Sequence, residues 1–200
     1  MIGDVCGHGA QAAAVTALTR HTTRAIAGRE SDPREVLRQV SEILLGSGYN
    51  RYCTAVYGRV ERAAHGWRLE LAVGGHPPPL IRRADGATDM LEDHGPVLGV
   101  LHAPRFPLIE VEMGPGDTLL LYTDGLIEHN PRIDDEHALA RLLGSLSTHS
   151  AEDLLSELGD AALGSPRRQP RDDVAMLIVR VPVGGVVDQQ QSAEPAVVWS

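Results

Sequence analysis

The chain has 200 residues, is 42% hydrophobic and carries a net charge of −9. This acidic balance argues against an electrostatic nucleic-acid binder, because such proteins use a basic surface to neutralise phosphates. No stretch approaches ~18 consecutive apolar residues, and the N-terminal residues do not resemble a signal peptide, so no membrane partner is expected. The length of the chain favours one domain. The two cysteines, Cys6 and Cys53, form no zinc-binding spacing, and this cysteine usage favours a reducing cytoplasm.

The first part of the chain predicts two helices. Residues 10–27 are rich in Ala, Leu, Thr and Arg, and Gly28 follows them as a helix stop. In the stretch S-D-P-R-E, Asp32 can cap a second helix and Pro33 suits its first position. Apolar residues then recur at helical spacing until Gly46, where this helix is expected to end.

A run of strands is predicted next. Residues 51–60 are β-prone, and residues 67–73 and 108–113 alternate between apolar and polar types. Residues 118–123 form an apolar run that follows the turn G-P-G-D. The connections between these strands are short, which predicts antiparallel pairing.

The last part of the chain predicts two helices, near 135–144 and 151–163, and a final strand from Val174. Residues 183–200 lack periodicity and are expected to form a loosely ordered tail. Helices, a run of strands, further helices and a last strand give an α+β order. A two-sheet antiparallel β-sandwich flanked by helices would satisfy this order.

Carboxylates stand beside the apolar strands. Asp4 follows an apolar pair, Asp124 follows the run 118–123, and Asp172 and Asp173 precede the last strand. Each alone is most simply a turn residue, because Asp and Gly are common turn formers. Strand ends of one sandwich can meet at one edge, where several carboxylates repel each other unless a cation holds them. Since oxygen ligands suit Mg²⁺ or Mn²⁺, the pattern predicts an acidic metal site.

Several catalytic motifs are absent from the sequence. It contains no G-x-S-x-G nucleophile elbow and no H-E-x-x-H zinc motif, and the opening G-D-V-C-G-H-G matches neither phosphate-binding glycine pattern. Cys6 is interpreted as a small packing residue, because no basic partner is evident. His8 could assist proton transfer, although a loop histidine bonded to backbone is the simpler interpretation.

Further polar residues near the carboxylates have structural interpretations. His76 precedes three prolines and is expected to have a structural role in a turn. Glu128 could line the site or begin a helix at the surface. Arg167, Arg168 and Arg171 could contact a phosphate or an acidic partner, but a solvated loop is the default.

Five blocks in order carry a family resemblance: G-D-V-C-G-H-G, G-G-H-P-P-P-L, G-P-V-L-G-V, G-D-T-L-L-L-Y-T-D-G-L-I-E and D-D-V-A-M-L-I-V-R. Together they span most of residues 1–181 and resemble the metal-dependent PPM-type (PP2C-like) protein phosphatases, in the bacterial SpoIIE/RsbU-like branch. The resemblance implies an α-β-β-α sandwich over residues 1–182, followed by the tail.

The resemblance also implies a dinuclear Mn²⁺ or Mg²⁺ site. Asp4 matches the aspartate that bridges both metals, and the backbone carbonyl of Val5 matches a further ligand. Asp124 and Asp172 match two aspartates that bind one of the metals. Asp173 is the alternative to Asp172, because the two residues are adjacent. The implied reaction is hydrolysis of phosphoserine or phosphothreonine by a metal-activated water, without a covalent intermediate.

The sequence departs from the family pattern at its start. Members carry a further acidic block upstream, G-G-D followed shortly by another Asp, whereas this sequence begins at Met1. The resemblance therefore leads us to expect an N-terminally truncated domain with an incomplete second metal site. Cys6 also stands where Ser is usual in the family, and Gly75 stands where Ala is usual.

The resemblance leads to one principal functional expectation and two alternatives. The principal expectation is a serine/threonine phosphatase that acts on an anti-anti-sigma-type regulator, with a homodimer through the N-terminal helices. The first alternative is a noncatalytic pseudophosphatase or fragment that binds the same phosphoprotein. The second is a metal-dependent hydrolase of small phosphate esters.

Overall fold

The computed structural model describes residues 1–64, 66–128, 130, 132–147, 150–163, 173–183 and 198–199. The helices in these ranges are α1 (Ala10–Ala27), α2 (Pro33–Gly46), α3 (Glu136–Ser145) and α4 (Ala151–Leu163), with a short 3₁₀ helix at Asp124–Leu126. The strands are β1 (Ile2–Val5), β2 (Cys53–Ala63), β3 (Gly66–Gly74), β4 (Leu80–Arg82), β5 (Thr88–Met90), β6 (Ile109–Met113), β7 (Thr118–Tyr122), β8 (Met176–Arg180) and β9 (Val198–Trp199).

The helices α2 and α4 begin at capping side chains, and the one at Asp32 confirms the prediction. The Asp32 side chain accepts a hydrogen bond from the Arg34 N–H at 2.9 Å, and Pro33 occupies the first position of α2. At the start of α4, the Ser150 hydroxyl accepts from the Asp153 N–H at 3.0 Å. These side chains satisfy backbone donors that have no partner within the helix, which explains why the helices begin there.

The strands form two sheets, with the orders β6-β3-β2-β1-β9 and β5-β4-β7-β8. The pairs within β1 to β8 are antiparallel, as predicted. The short strand β9 instead runs parallel to β1. It lies within residues 183–200, where the sequence predicts a loosely ordered tail, and residues 184–197 are outside the described ranges. The strands β1, β4 and β5 are additions to the predicted set.

Three buried clusters join four layers, which are a helix pair, two sheets and a second helix pair. This arrangement confirms the predicted α+β sandwich. One cluster joins α1 and α2 to the first sheet, through residues such as Val15, Leu37, Cys53 and Tyr57. A second fills the space between the sheets, with Ile2, Leu71, Ile81 and Leu119. A third joins α3 and α4 to the second sheet, with Leu120, Tyr122, Leu139 and Leu158. None of the described helices is long and apolar enough to cross a membrane.

Candidate metal centre

The strand β1 places Asp4 on the face of the first sheet that meets the second sheet. Side chains alternate along a strand, so Asp4 shares a face with Ile2, which is buried between the sheets. Val5 points the other way and packs in the cluster beneath α1 and α2. Asp4 is half-buried and lies opposite Thr54 of β2. The alternation therefore brings this carboxylate to the end of the inter-sheet space.

His76 connects the two sheets beside Asp4. It lies in the segment between β3 and β4, which belong to different sheets, and its Nδ1 is 2.8 Å from the hydroxyl oxygen of Thr54. The ring is only 5% exposed. Burial lowers its pKa to about 4, although the nearby Tyr122 backbone acts in the opposite direction. His76 is therefore a neutral imidazole at pH 7 that spans from β2 to the end of β7.

Asp124 and Asp173 are brought together by Thr123. The Thr123 hydroxyl donates to the Asp173 carbonyl at 3.2 Å and accepts from the Ala175 N–H at 2.9 Å. The Thr123 N–H also donates to the Ala175 carbonyl at 3.0 Å. Asp124 follows directly, at the start of the 3₁₀ helix, where one carboxylate oxygen accepts from the Gly125 N–H at 3.0 Å. Both aspartate side chains are exposed, so a solvent ion can reach them.

The contacts form a path from the first sheet to the second. It runs from Asp4 to Thr54 by strand pairing and from Thr54 to His76 by a hydrogen bond, and the His76 ring lies near the backbone of Tyr122, the last residue of β7. The segments that carry Asp4 and Asp124 therefore lie towards the same end of the sandwich, and Thr123 links the Asp124 segment to the Asp173 backbone. Asp172, the other predicted ligand, is outside the described residues.

The donors on this path suit a divalent cation in their chemistry. Carboxylate oxygens are the preferred ligands of Mg²⁺ and Mn²⁺, and exposed carboxylates at strand ends can adjust to octahedral geometry. The described residues form no ready group of three His, Cys, Asp or Glu side chains that could hold a metal. A complete site in this chain would therefore need Asp172, a backbone carbonyl or water in addition to the described carboxylates.

The cysteines are not arranged as nucleophiles. Burial raises the pKa of the Cys53 thiol to about 12, and the Asp4 charge acts in the same direction. A thiol with that pKa is protonated at neutral pH and is a weak nucleophile. Cys6 continues the strand pairing, since its N–H donates to the Tyr52 carbonyl at 3.1 Å. Its thiol lies beside the Tyr52 hydroxyl and raises the pKa of that phenol.

The other predicted residues lie at the margin of the site. His8 is exposed, and its side chain makes no hydrogen bond or ion pair with the part of the chain that the structure describes. The Glu128 side chain is exposed, and its N–H donates to the Asp124 carbonyl at 2.8 Å, which extends the 3₁₀ turn. The predicted Arg167, Arg168 and Arg171 are outside the described residues.

Two residues of the site were missed by the sequence analysis. Thr123 and Thr54 look like ordinary β-prone residues, and their roles depend on neighbours that are distant along the chain. The T-D-G block was a usable signal for Thr123, because a hydroxyl directly before a strand-end carboxylate can bond to a second strand. For Thr54, the sequence provides no comparable signal.

Comparison with known proteins identifies the family. The family described as Stage II sporulation protein E (SpoIIE) matches residues 1–182. Phosphoserine phosphatase RsbP of Bacillus subtilis (strain 168) is 27% identical over 133 residues, which cover 64% of this chain and 32% of RsbP. Phosphoserine phosphatase RsbU of the same organism is 22% identical over 183 residues, which cover 90% of this chain and 54% of RsbU.

A solved structure agrees with these matches. The RsbU and RsbW domains of a Mycobacterium tuberculosis protein superpose with a TM-score of 0.76 at 31% identity, over 91% of this chain and 51% of the other. The chain thus spans about half or less of the length of these relatives. The match over residues 1–182 and the shared sandwich lead to one conclusion: the chain belongs to the SpoIIE family, within the SpoIIE/RsbU-like PPM-type phosphatases.

Proposed function

We propose that residues 1–182 form a metal-dependent phosphatase domain that hydrolyses phosphoserine or phosphothreonine in a protein substrate. The observation that carries this proposal is the position of His76, which bonds to Thr54 opposite Asp4 and lies near the Tyr122 backbone, two residues before Asp124. Two relatives, RsbP and RsbU, are named phosphoserine phosphatases, which supports the same reaction class.

The proposed ligands of Mn²⁺ or Mg²⁺ are Asp4, the Val5 carbonyl, Asp124, and either Asp172 or Asp173. When bound, such an ion lowers the pKa of a water molecule and stabilises charge on phosphoryl oxygens. The chain's own contribution is to position these ligands: neutral His76 fixes Thr54 opposite Asp4, and Thr123 fixes the backbone beside Asp124. The paired sheets exclude water behind the ligands, which strengthens electrostatic interactions at the site.

The substrate we propose is an anti-anti-sigma-type regulator in the cytoplasm, by analogy with the RsbU and RsbP relatives. A homodimer through α1 and α2 is part of the same proposal. Light scattering over a range of protein concentrations tests the dimer, and a constant monomer mass would contradict it.

The phosphatase proposal is tested with para-nitrophenyl phosphate and added Mn²⁺. Turnover should require the ion, stop in excess chelator and fall at least about 100-fold in Asp124→Asn, because a lost ligand should cost more than a lost outer-shell partner. Asp134→Asn is the matched control, since Asp134 is also an exposed aspartate. Turnover that persists in excess chelator would contradict the metal mechanism.

A second candidate function is a noncatalytic module that binds a phosphoprotein. It is favoured by one observation, the lack of a ready three-residue metal group within the described ranges. This candidate predicts binding of a phosphoserine peptide without release of phosphate, even in excess Mn²⁺. Phosphate release from the same peptide would exclude it.

A further inference from the structure

A cleft lies beside β1, between the C-terminal end of α2 and the loops that follow α2 and precede Leu101. It consists of two adjoining cavities of about 330 and 460 Å³, which share Gly48, Asn50, Arg51 and Tyr52. The larger cavity also reaches Cys6, two residues after Asp4. We call it the Arg51 cleft. Its position next to the proposed metal ligands suggests a surface that a substrate would meet.

The Arg51 guanidinium has unused hydrogen-bonding capacity. Its Nη1 donates to the Cys6 carbonyl at 2.7 Å, whereas its Nε is buried and has no acceptor among the described residues. No described carboxylate lies within ion-pair distance of this guanidinium. The other terminal nitrogen, Nη2, makes no hydrogen bond with the described residues and is not buried, so a carboxylate from solution can accept a charge-assisted hydrogen bond from it.

The charge of the cleft is opposite to that of the whole chain. The chain carries a net charge of −9, yet Arg51 is the single ionised side chain among the residues that line the cleft. Apolar surface lies beside it, since Tyr52 is 43% exposed and Val100 is 48% exposed. The cleft therefore complements a segment that carries one acidic side chain next to an apolar one.

The distance to the metal ligands sets the spacing of that acidic side chain. The guanidinium lies against Gly7, where an added Cβ would be 2.2 Å from Nη1. Gly7 follows Asp4 by three residues, so their Cα atoms are at most about 11 Å apart. An extended peptide spans this distance with about three residues. One side chain at the metal ligands and a second at Arg51 would then be at most about three positions apart.

We propose that the Arg51 cleft binds an acidic side chain located at most about three residues from the phosphorylated serine or threonine of the substrate protein. An apolar neighbour of that acidic residue packs against Tyr52 and Val100. This inference rests on the proposed phosphatase function, and it adds a rule for substrate selection.

The test compares phosphoserine peptides that carry Glu two or three residues before or after the phosphoserine, each with a matched Gln peptide. For one of these placements, the wild-type chain should prefer Glu over Gln by about tenfold in kcat/KM, the size of one charge-assisted hydrogen bond. In Arg51→Gln, this preference should fall to about one. Because the loss of the Cys6 contact affects both peptides of a pair equally, the ratio isolates the carboxylate contact.

A second pair of variants covers the case in which Arg51→Gln does not fold. Val100→Lys should increase the Glu-over-Gln preference, and Val100→Glu should abolish it by charge repulsion. Val60→Glu is the control, because Val60 is 44% exposed on β2 and does not line the cleft. It should leave the preference unchanged.

Fluorescence anisotropy with labelled versions of the same peptides provides a readout that does not need turnover. If para-nitrophenyl phosphate is not hydrolysed, the proposed function fails, whereas the anisotropy ratio still decides whether the cleft selects Glu. Equal binding of the Glu and Gln peptides by the wild-type chain would overturn the inference. A preference that survives in Arg51→Gln would also overturn it.

Discussion

His76 Nδ1 and Thr54 Oγ1 lie 2.8 Å apart, and this contact fixes the segment that crosses between the sheets to the strand beside Asp4. The imidazole is buried and remains neutral at pH 7, because burial lowers its pKa to about 4. The contact therefore has a consequence for stability as well as for the proposed site.

The first prediction concerns the pH dependence that His76 confers. The folded-state pKa of about 4 is below the unfolded value of 6.5, so the unfolded chain binds more protons between these values. The contribution of His76 to the free energy of unfolding is fully present above pH 6.5. It falls by up to about 3 kcal/mol as the pH is lowered towards 4. Urea unfolding at pH 7.5 and pH 4.5 should show a smaller pH-dependent loss in His76→Gln. Equal losses in both proteins would contradict the prediction.

The second prediction concerns the hydroxyl of Thr123. Thr123→Val removes the hydrogen bonds to the Asp173 carbonyl and from the Ala175 N–H, so the free energy of unfolding should fall by about 1–3 kcal/mol. Mn²⁺ affinity, measured by titration calorimetry, should fall about 10-fold, as expected when an outer-shell partner of a metal site is lost. Thr123→Ser retains the hydroxyl and should restore most of the Mn²⁺ affinity. If Thr123→Ser binds Mn²⁺ no more tightly than Thr123→Val, the hydroxyl does not position the ligands.

The third prediction compares two glycines of the opening loop. Gly7 has φ +90° and Gly9 has φ +87°, so alanine is strained at both positions. A Cβ at Gly7 would meet Arg51 Nη1 at 2.2 Å, whereas a Cβ at Gly9 would meet nothing within 4 Å. Gly7→Ala should therefore weaken the preference for acidic peptides, and Gly9→Ala should retain it. Identical peptide preferences in the two variants would contradict this placement of Arg51.

The fourth prediction concerns a carboxylate with a structural role. The buried Asp117 accepts from the Ala84 N–H at 2.9 Å and from the Gly114 N–H at 3.1 Å, and it pairs with Arg83 at 2.9 Å. Asp117→Ala should lower the free energy of unfolding by about 1–3 kcal/mol, because the two backbone N–H groups would lose their acceptor and Arg83 would lose its partner.

The matched control for Asp117 is Asp89, the second carboxylate near Arg83. Asp89 is 3.8 Å from the Arg83 side chain and is 64% exposed, so Asp89→Ala should cost less than about 1 kcal/mol. Thermal and urea unfolding of both variants measure the difference. A similar loss in the two variants would show that burial does not distinguish these ion pairs.

Much of the fold could be predicted because its signals are local. The cap at Asp32, the apolar run before Asp124 and the alternation before Met113 each depend on neighbours in the chain, and the structure confirms the corresponding elements. The short strand β5 could not be predicted in this way. It has only three residues, Thr88–Met90, and its existence depends on pairing with β4.

The contacts of the candidate site were less accessible to sequence analysis. His76 was interpreted as a structural residue of a turn, but the atom that it contacts, Thr54 Oγ1, is 22 positions away along the chain. Arg51 raised no expectation, because an arginine before a β-prone run is commonly a surface residue. The buried Nε of Arg51, which has no acceptor, and the contact of Arg51 with Gly7 can be seen only in the folded structure.

The proposed metal site is held by carboxylates of both sheets. Mn²⁺ titration, followed by the loss of the free-ion electron paramagnetic resonance signal, tests it in the wild-type chain and in single Asp→Asn variants at positions 4, 124, 172 and 173, with Asp134→Asn as control. Asp4→Asn and Asp124→Asn should each weaken Mn²⁺ binding at least about 10-fold, and one of the two variants at 172 and 173 should do the same. Unchanged Mn²⁺ affinity in Asp4→Asn and Asp124→Asn would contradict it.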